Sequence, residues 1–118
     1  KIDLVQEDAE EALFNLNRDF SIKDEYHGFV SDLVMGTVNH LAEIDHQITK
    51  FSPDWPLERM PTVDRNLLRM AAYEIIYDDD IHPVVAINEA VDLAKIYGDD
   101  NSSAFINAIL DRIKGDNS

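Results

Sequence analysis

The sequence predicts an all-α fold: a single compact domain, residues 1–118, of about six helices packed around one long central helix. Three observations carry that prediction. Apolar residues recur at three- and four-residue spacings through most of the chain. No stretch alternates apolar and polar residues between turn signals, as a half-buried strand would. The prolines fall between the periodic stretches, where helices stop and start.

The first predicted helix runs from Leu4 to about Phe20. Val5, Ala9, Leu13, Leu16 and Phe20 make its apolar stripe, while Glu7, Asp8, Glu10 and Glu11 face away. After a turn at residues 21–23, a second helix is predicted from about Asp24 to Phe51. Phe29, Leu33, Val34, Leu41, Ile44 and Ile48 keep one of its faces apolar, and at about 1.5 Å per residue it would reach about 40 Å, the spine of a bundle. Gly36 interrupts it, as a mild propensity cost or as a close helix crossing. Pro53 and Pro56 then end it, with Trp55 between them expected to cover an edge of the core.

The last half of the chain is punctuated most clearly. Thr62 is the expected N-cap of a helix carrying Val63, Leu67, Leu68, Ala71, Ala72, Ile75 and Ile76, with Asp64 in its first turn. Asp78, Asp79 and Asp80 end it. Pro83 opens the next helix, which presents Val84, Ile87, Val91 and Ala94, and Gly98 is the expected left-handed residue past its end. Asn101 or Ser102 can cap the final helix, whose apolar positions are Phe105, Ile106, Ile109, Leu110 and Ile113.

Composition narrows function. With 118 residues the chain can bury one core. No apolar run approaches the ~18 residues of a membrane span, and no signal peptide is visible. There is no cysteine, hence no disulfide frame and no thiolate chemistry. The formal charge of −14 disfavours nonspecific nucleic-acid binding, which needs lysine and arginine to displace counterions, although one well-placed basic strip can suffice.

Catalysis and cofactors find little support. Glu43-x-x-His46 is the unit that di-iron bundles place on two separate helices, but its only companion here is Asp24-x-x-His27, on the same predicted helix. No serine lies in a nucleophile elbow, and the glycines are isolated instead of forming a phosphate loop. Catalytic, metal and cofactor sites are therefore all read as none. Binding is the better prospect. Arg65, Arg69 and Tyr73 follow one another at four-residue steps and share one strip of a helix. Either the guanidiniums grip phosphates beside a ring that stacks on bases, or the strip is an ordinary exposed face with Arg69 paired to Glu74 or Glu89. Asn88 is expected to tie its helix to a neighbouring loop. Phe105 either packs in the core or faces outward.

The stretches LLRMAAYEIIYDDDI, VAINEAVDLAKIYG and SSAFINAILDRI resemble three consecutive C-terminal helices of the NusB family of bacterial transcription antitermination factors. The resemblance is close from Trp55 to Ile113 and looser from Leu4 to Phe51. It implies a cytoplasmic, non-enzymatic factor that binds single-stranded boxA-like RNA together with NusE, a small ribosomal protein, within an RNA polymerase antitermination complex. By the same resemblance the RNA surface falls on Asn101, Ser102 and Phe105, with Arg65 and Arg69 contributing. The partner surface falls around Asp64, Tyr73 and the outward face of the first helix. Two other roles stand beside it: a NusB-like accessory domain of a ribosomal RNA methyltransferase, and a protein-binding helical scaffold.

Two departures from the family pattern matter. The basic N-terminal arm has no counterpart before Lys1, so RNA affinity is expected to be low if the arm is lacking. Val84 and Ala104 stand where the family commonly has lysines. An unpartnered stripe on the first helix would also favour a homodimer.

Overall fold

The computed structural model describes residues 27–117, with side chains from residue 32 onward. The predicted first helix from Leu4 to Phe20, the dimer expectation built on its stripe, and the Asp24–His27 motif lie outside the described side chains. Within them the fold is all-helical: α1 (His27–Asn39), α2 (Leu41–Phe51), a 3-10 turn (Leu57–Arg59), α3 (Thr62–Tyr77), α4 (Pro83–Tyr97) and α5 (Ser102–Asp116). No strand occurs among the described residues, and none of their helices is long and apolar enough to cross a membrane.

The continuous second helix is corrected to two. The chain breaks at His40 (φ −116°, ψ 19°), and the His40 amide donates to the Thr37 carbonyl (3.2 Å) in a tightened last turn. Neither glycine nor proline marks the break. Asn39 and His40 are weak helix formers, and the His40 ring leaves the helical path to stack on Tyr77 with ring centroids 4.0 Å apart.

The centre of the bundle is α3 instead, which touches each of the other four α-helices. Leu67, Leu68, Ala71 and Ala72 fill its middle, against Ile44 and Ile48 of α2, Ala90 and Ala94 of α4, and Ile106, Leu110 and Ile113 of α5. Small residues let the helices approach. A Cβ at Gly36 of α1 would overlap the Tyr73 ring of α3, so this glycine marks a close crossing. Being surrounded, α3 also buries polar side chains: Asp64, Asn66, Arg69 and Glu74. That is the main consequence a one-faced helical pattern could not express.

Local punctuation follows the sequence with three corrections. Pro61, not Thr62, occupies the N-cap of α3, and no side chain caps it. His82 caps α4 by accepting the Val84 amide at Nδ1 (3.2 Å), ahead of Pro83 in the first turn. Trp55 is 46% exposed and does not pack over the core; the buried Ser52 hydroxyl donates to the Ile48 carbonyl (2.7 Å) at the end of α2. Gly98 has φ −90° and is not left-handed. Its constraint is space, because a Cβ there would lie 2.6 Å from Ser102 Cβ and Oγ and 2.7 Å from the Ala94 carbonyl oxygen. Two of those three atoms belong to tightly placed groups. Gly98→Ala is therefore expected to cost about 1–3 kcal/mol, the usual range for overpacking, measured by urea unfolding.

Candidate nucleic-acid interface

The corner between α4 and α5 is built by Asp99 and Ser102. The Asp99 amide donates to Ser102 Oγ (3.0 Å), and Ser102 Oγ donates to Asp99 Oδ1 (3.1 Å). The same Oδ1 accepts the Asn101 amide (3.0 Å). This reciprocal pattern resembles a capping box, satisfying donors that a helix start leaves orphaned. Its role falls to Asp99 and Ser102, while the Asn101 side chain makes no cap hydrogen bond. Asp99-x-x-Ser102 was the local signal for it.

The lock divides the predicted RNA residues. Ser102 is 1% exposed and its hydroxyl is spent on the corner, so it shapes the surface without touching a ligand. Asn101 is exposed in front of the α5 N-terminus. Phe105, one turn on, packs one side against the core and keeps part of its ring open. Both of its alternatives are thus partly realised. Asp64 lies beneath this corner, 4% exposed, with one carboxylate oxygen unpartnered. Burial raises its carboxyl above the ordinary range; the neighbouring Ser102 hydroxyl opposes this and the charge of Asp99 reinforces it. It is consequently not part of an outward-facing partner surface.

The Arg65–Arg69–Tyr73 strip is not an exposed face. Arg69 is 5% exposed, and its Nε and Nη2 donate to Asp45 Oδ1 and Oδ2 of α2 at 2.8 and 2.9 Å. This bidentate pair replaces the expected partners Glu74 and Glu89 and removes Arg69 from any phosphate-gripping role. Tyr73 is half-buried between Gly36, His40 and Tyr77. Arg65 is intermediate: one guanidinium nitrogen donates to the Leu57 carbonyl (3.3 Å) and the side chain stays partly open. Sequence reasoning passed over Lys95, an exposed cation in the last turn of α4, just before the corner. Its position three residues ahead of Gly98 was the available clue. Asn88 is exposed and, among the described residues, makes no side-chain hydrogen bond, so its expected tie to a loop is absent.

Among the described residues, no three of the His, Asp and Glu side chains gather as metal ligands. What the geometry offers is a hydrogen-bonded helix start, an exposed amide side chain at Asn101 and a half-open aromatic ring at Phe105, with Arg65 and Lys95 as at least partly exposed cations. Helix N-termini attract phosphate, and aromatic faces stack on unpaired bases. Fold and corner together define a small all-helical domain with a polar, partly aromatic helix start on its surface.

Comparison with known proteins makes the assignment specific. The chain belongs to the NusB family, whose sequence profile matches residues 1–114. It is 47% identical over 116 residues to the transcription antitermination protein NusB of Syntrophomonas wolfei, covering 98% of this chain and 87% of that protein. It is 44% identical over 113 residues to its namesake in Pelotomaculum thermopropionicum, covering 96% and 78%. A solved structure of T. maritima NusB superposes with a TM-score of 0.76 at 33% identity, over 93% of this chain and 87% of that one. Membership carries a role in transcription antitermination and no enzymatic activity.

Proposed function

We infer that this chain acts in the cytoplasm as an antitermination factor that holds unpaired, boxA-like RNA at the α4–α5 corner, beside NusE, within the RNA polymerase antitermination complex. The observation that carries the reading is the corner itself: Asn101 and Phe105 stand on a helix start that Asp99 and Ser102 hold rigid, in a chain of the NusB family. A preformed surface loses less entropy on binding than a mobile one. Phe105 supplies the stacking face and Asn101 reads a base edge or phosphate. Arg65 and Lys95 add positive charge from the flanks, and Arg69 acts only by bracing α3.

The reading also accounts for how so acidic a chain engages RNA. Affinity here rests on stacking and the helix terminus more than on many phosphate contacts, so its salt dependence is shallow. Phe105→Ala is expected to weaken binding of a single-stranded boxA oligonucleotide, measured with NusE present, by about 5- to 100-fold, the loss of one stacked base. Its circular dichroism should stay that of the parent. Unchanged affinity in a folded variant would remove the corner as the RNA site.

A further inference from the structure

Helices α1, α3 and α4 leave a narrow groove between them, with a cavity of ≈ 70 Å³. Half-buried Leu33 of α1, Met70 of α3 and Leu93 of α4 line it, together with the buried Ala86 and Ala90 of α4. Its polar lining is two carboxylates, Glu74 of α3 and Glu89 of α4. Every other lining side chain is leucine, methionine or alanine, so none carries an N–H. Ordinary small-molecule pockets start at about 300 Å³, and this one has room for the end of a single side chain.

Glu74 is the unexplained group. It is 5% exposed, and its Oε2 is buried without a hydrogen-bond partner. A carboxylate held there gives up water and receives nothing in exchange. Burial, then the charges of Glu89 and Asp78, push its pKa up to about 7, so near neutral pH a large fraction is ionised and uncompensated. Among the described residues no lysine or arginine pairs with either glutamate. Arg69, on the same helix, is committed to Asp45.

What the groove lacks defines what fits it. Two carboxylates without a donor call for a cation, and leucine and methionine walls call for a methylene stem behind it. Ala86 and Ala90, one helical turn apart, keep the α4 side low enough for another helix to lie close. Arginine suits such a site better than lysine, because guanidinium is more weakly hydrated and keeps its proton when buried. The chain's own first stretch is a poor match: Arg18 falls off the stripe formed by Ala9, Leu13, Leu16 and Phe20 at helical spacing.

We propose that this groove is a docking site for an amphipathic helix of a partner protein, which inserts one arginine toward Glu74 and Glu89 with its stem against Met70 and Leu93. The proposal does not depend on the RNA reading, since Arg65, Lys95, Asn101 and Phe105 do not line the groove.

The test adds to the whole chain an alanine-based helical peptide of about 15 residues, with one arginine and a leucine one turn to either side of it. A twin peptide carries methionine in place of the arginine. NMR follows the Met70 methyl group and the Glu74 side-chain carboxyl. The arginine peptide should shift the methyl resonance and bring the Glu74 pKa below about 7. The methionine peptide should bind at least about tenfold more weakly. Glu74→Gln keeps the shape of the site without its charge, and should weaken the arginine peptide about tenfold while urea unfolding shows the fold intact. Glu89→Gln, at an exposed position, should weaken it by about 2- to 5-fold. In the free chain, Arg18→Gln combined with Lys23→Gln should leave the Glu74 titration in place. Equal binding of the two peptides, indifference to Glu74→Gln, or a Glu74 titration that moves in the Arg18/Lys23 double variant, which would give the groove to the chain's own first stretch, would each overturn the proposal.

Discussion

Arg69→Ala should destabilise the folded chain by about 3 kcal/mol, the lower end of the range for breaking a buried ion pair by removing one partner. The estimate is held to the lower end because the Asp45 side chain keeps 20% of its surface in contact with water, whereas that of Arg69 keeps 6%. Two parallel N–H···O bonds join α3 to α2 across 24 residues of sequence. Losing the guanidinium strands a largely covered carboxylate and opens a gap beside the core. Arg69→Lys should recover little, because an ammonium cannot reproduce the planar two-point fit. Replacing both partners by apolar residues of similar size, Asp45→Leu with Arg69→Met, should restore most of the loss, since the pair's attraction largely offsets its own desolvation. Urea unfolding of the single and double variants measures each term. The double variant also separates bracing from contact: once folded it should bind RNA as the parent does. A loss of under 1 kcal/mol in Arg69→Ala would show that α2 and α3 are held by apolar packing alone.

That pair also marks where the sequence stops being legible. The apolar stripe of α5 is buried where the spacing places it, at Ile106, Ile109, Leu110 and Ile113, because a surface helix has one inward face and its pattern records it. Pro83 and Gly98 bound α4 through chain geometry and close approach, both local effects. Asp45 is different. Nothing within a few residues of Arg69 says which turn of α2 will lie opposite, so Glu74 and Glu89, further along the chain, were mistaken choices. The break at His40 is hidden for a related reason, since the ring it stacks on belongs to α3. At the corner, Phe105 and Asn101 were reachable through the family resemblance. The burial of Ser102 and Asp64 was not, since it depends on how tightly α4 and α5 meet at Gly98.

Replacing Glu74 by glutamine should stabilise the protein at alkaline pH and do almost nothing at low pH. Glu74 lies in α3 with a carboxylate oxygen both buried and unpartnered, and its pKa is pushed up from 4.5 to about 7. Burial is the main cause, and the charges of Glu89 and Asp78 add to it. The sign follows from linkage. Below 4.5 the group is protonated whether the chain is folded or not, so the folded state incurs no cost. Between 4.5 and about 7 the unfolded chain releases a proton that the folded chain retains, and stability falls as pH rises. Above about 7 the charge is forced into the interior and the cost is complete. At about 1.4 kcal/mol per unit, reduced for partial hydration of the site, that cost is on the order of 2 kcal/mol. Glu74→Gln keeps the shape and cannot ionise, so its advantage should grow from near zero at pH ~4.5 to that value at pH ~8. Many other carboxylates make the parent's own pH profile steep, which is why the difference between the two proteins, read by urea unfolding at several pH values, is the informative quantity. Glu89→Gln should reproduce a smaller part of the gain by removing the nearest like charge. Parallel profiles for parent and Glu74→Gln would mean that the carboxyl is hydrated in the folded chain and that the centre of the bundle admits water.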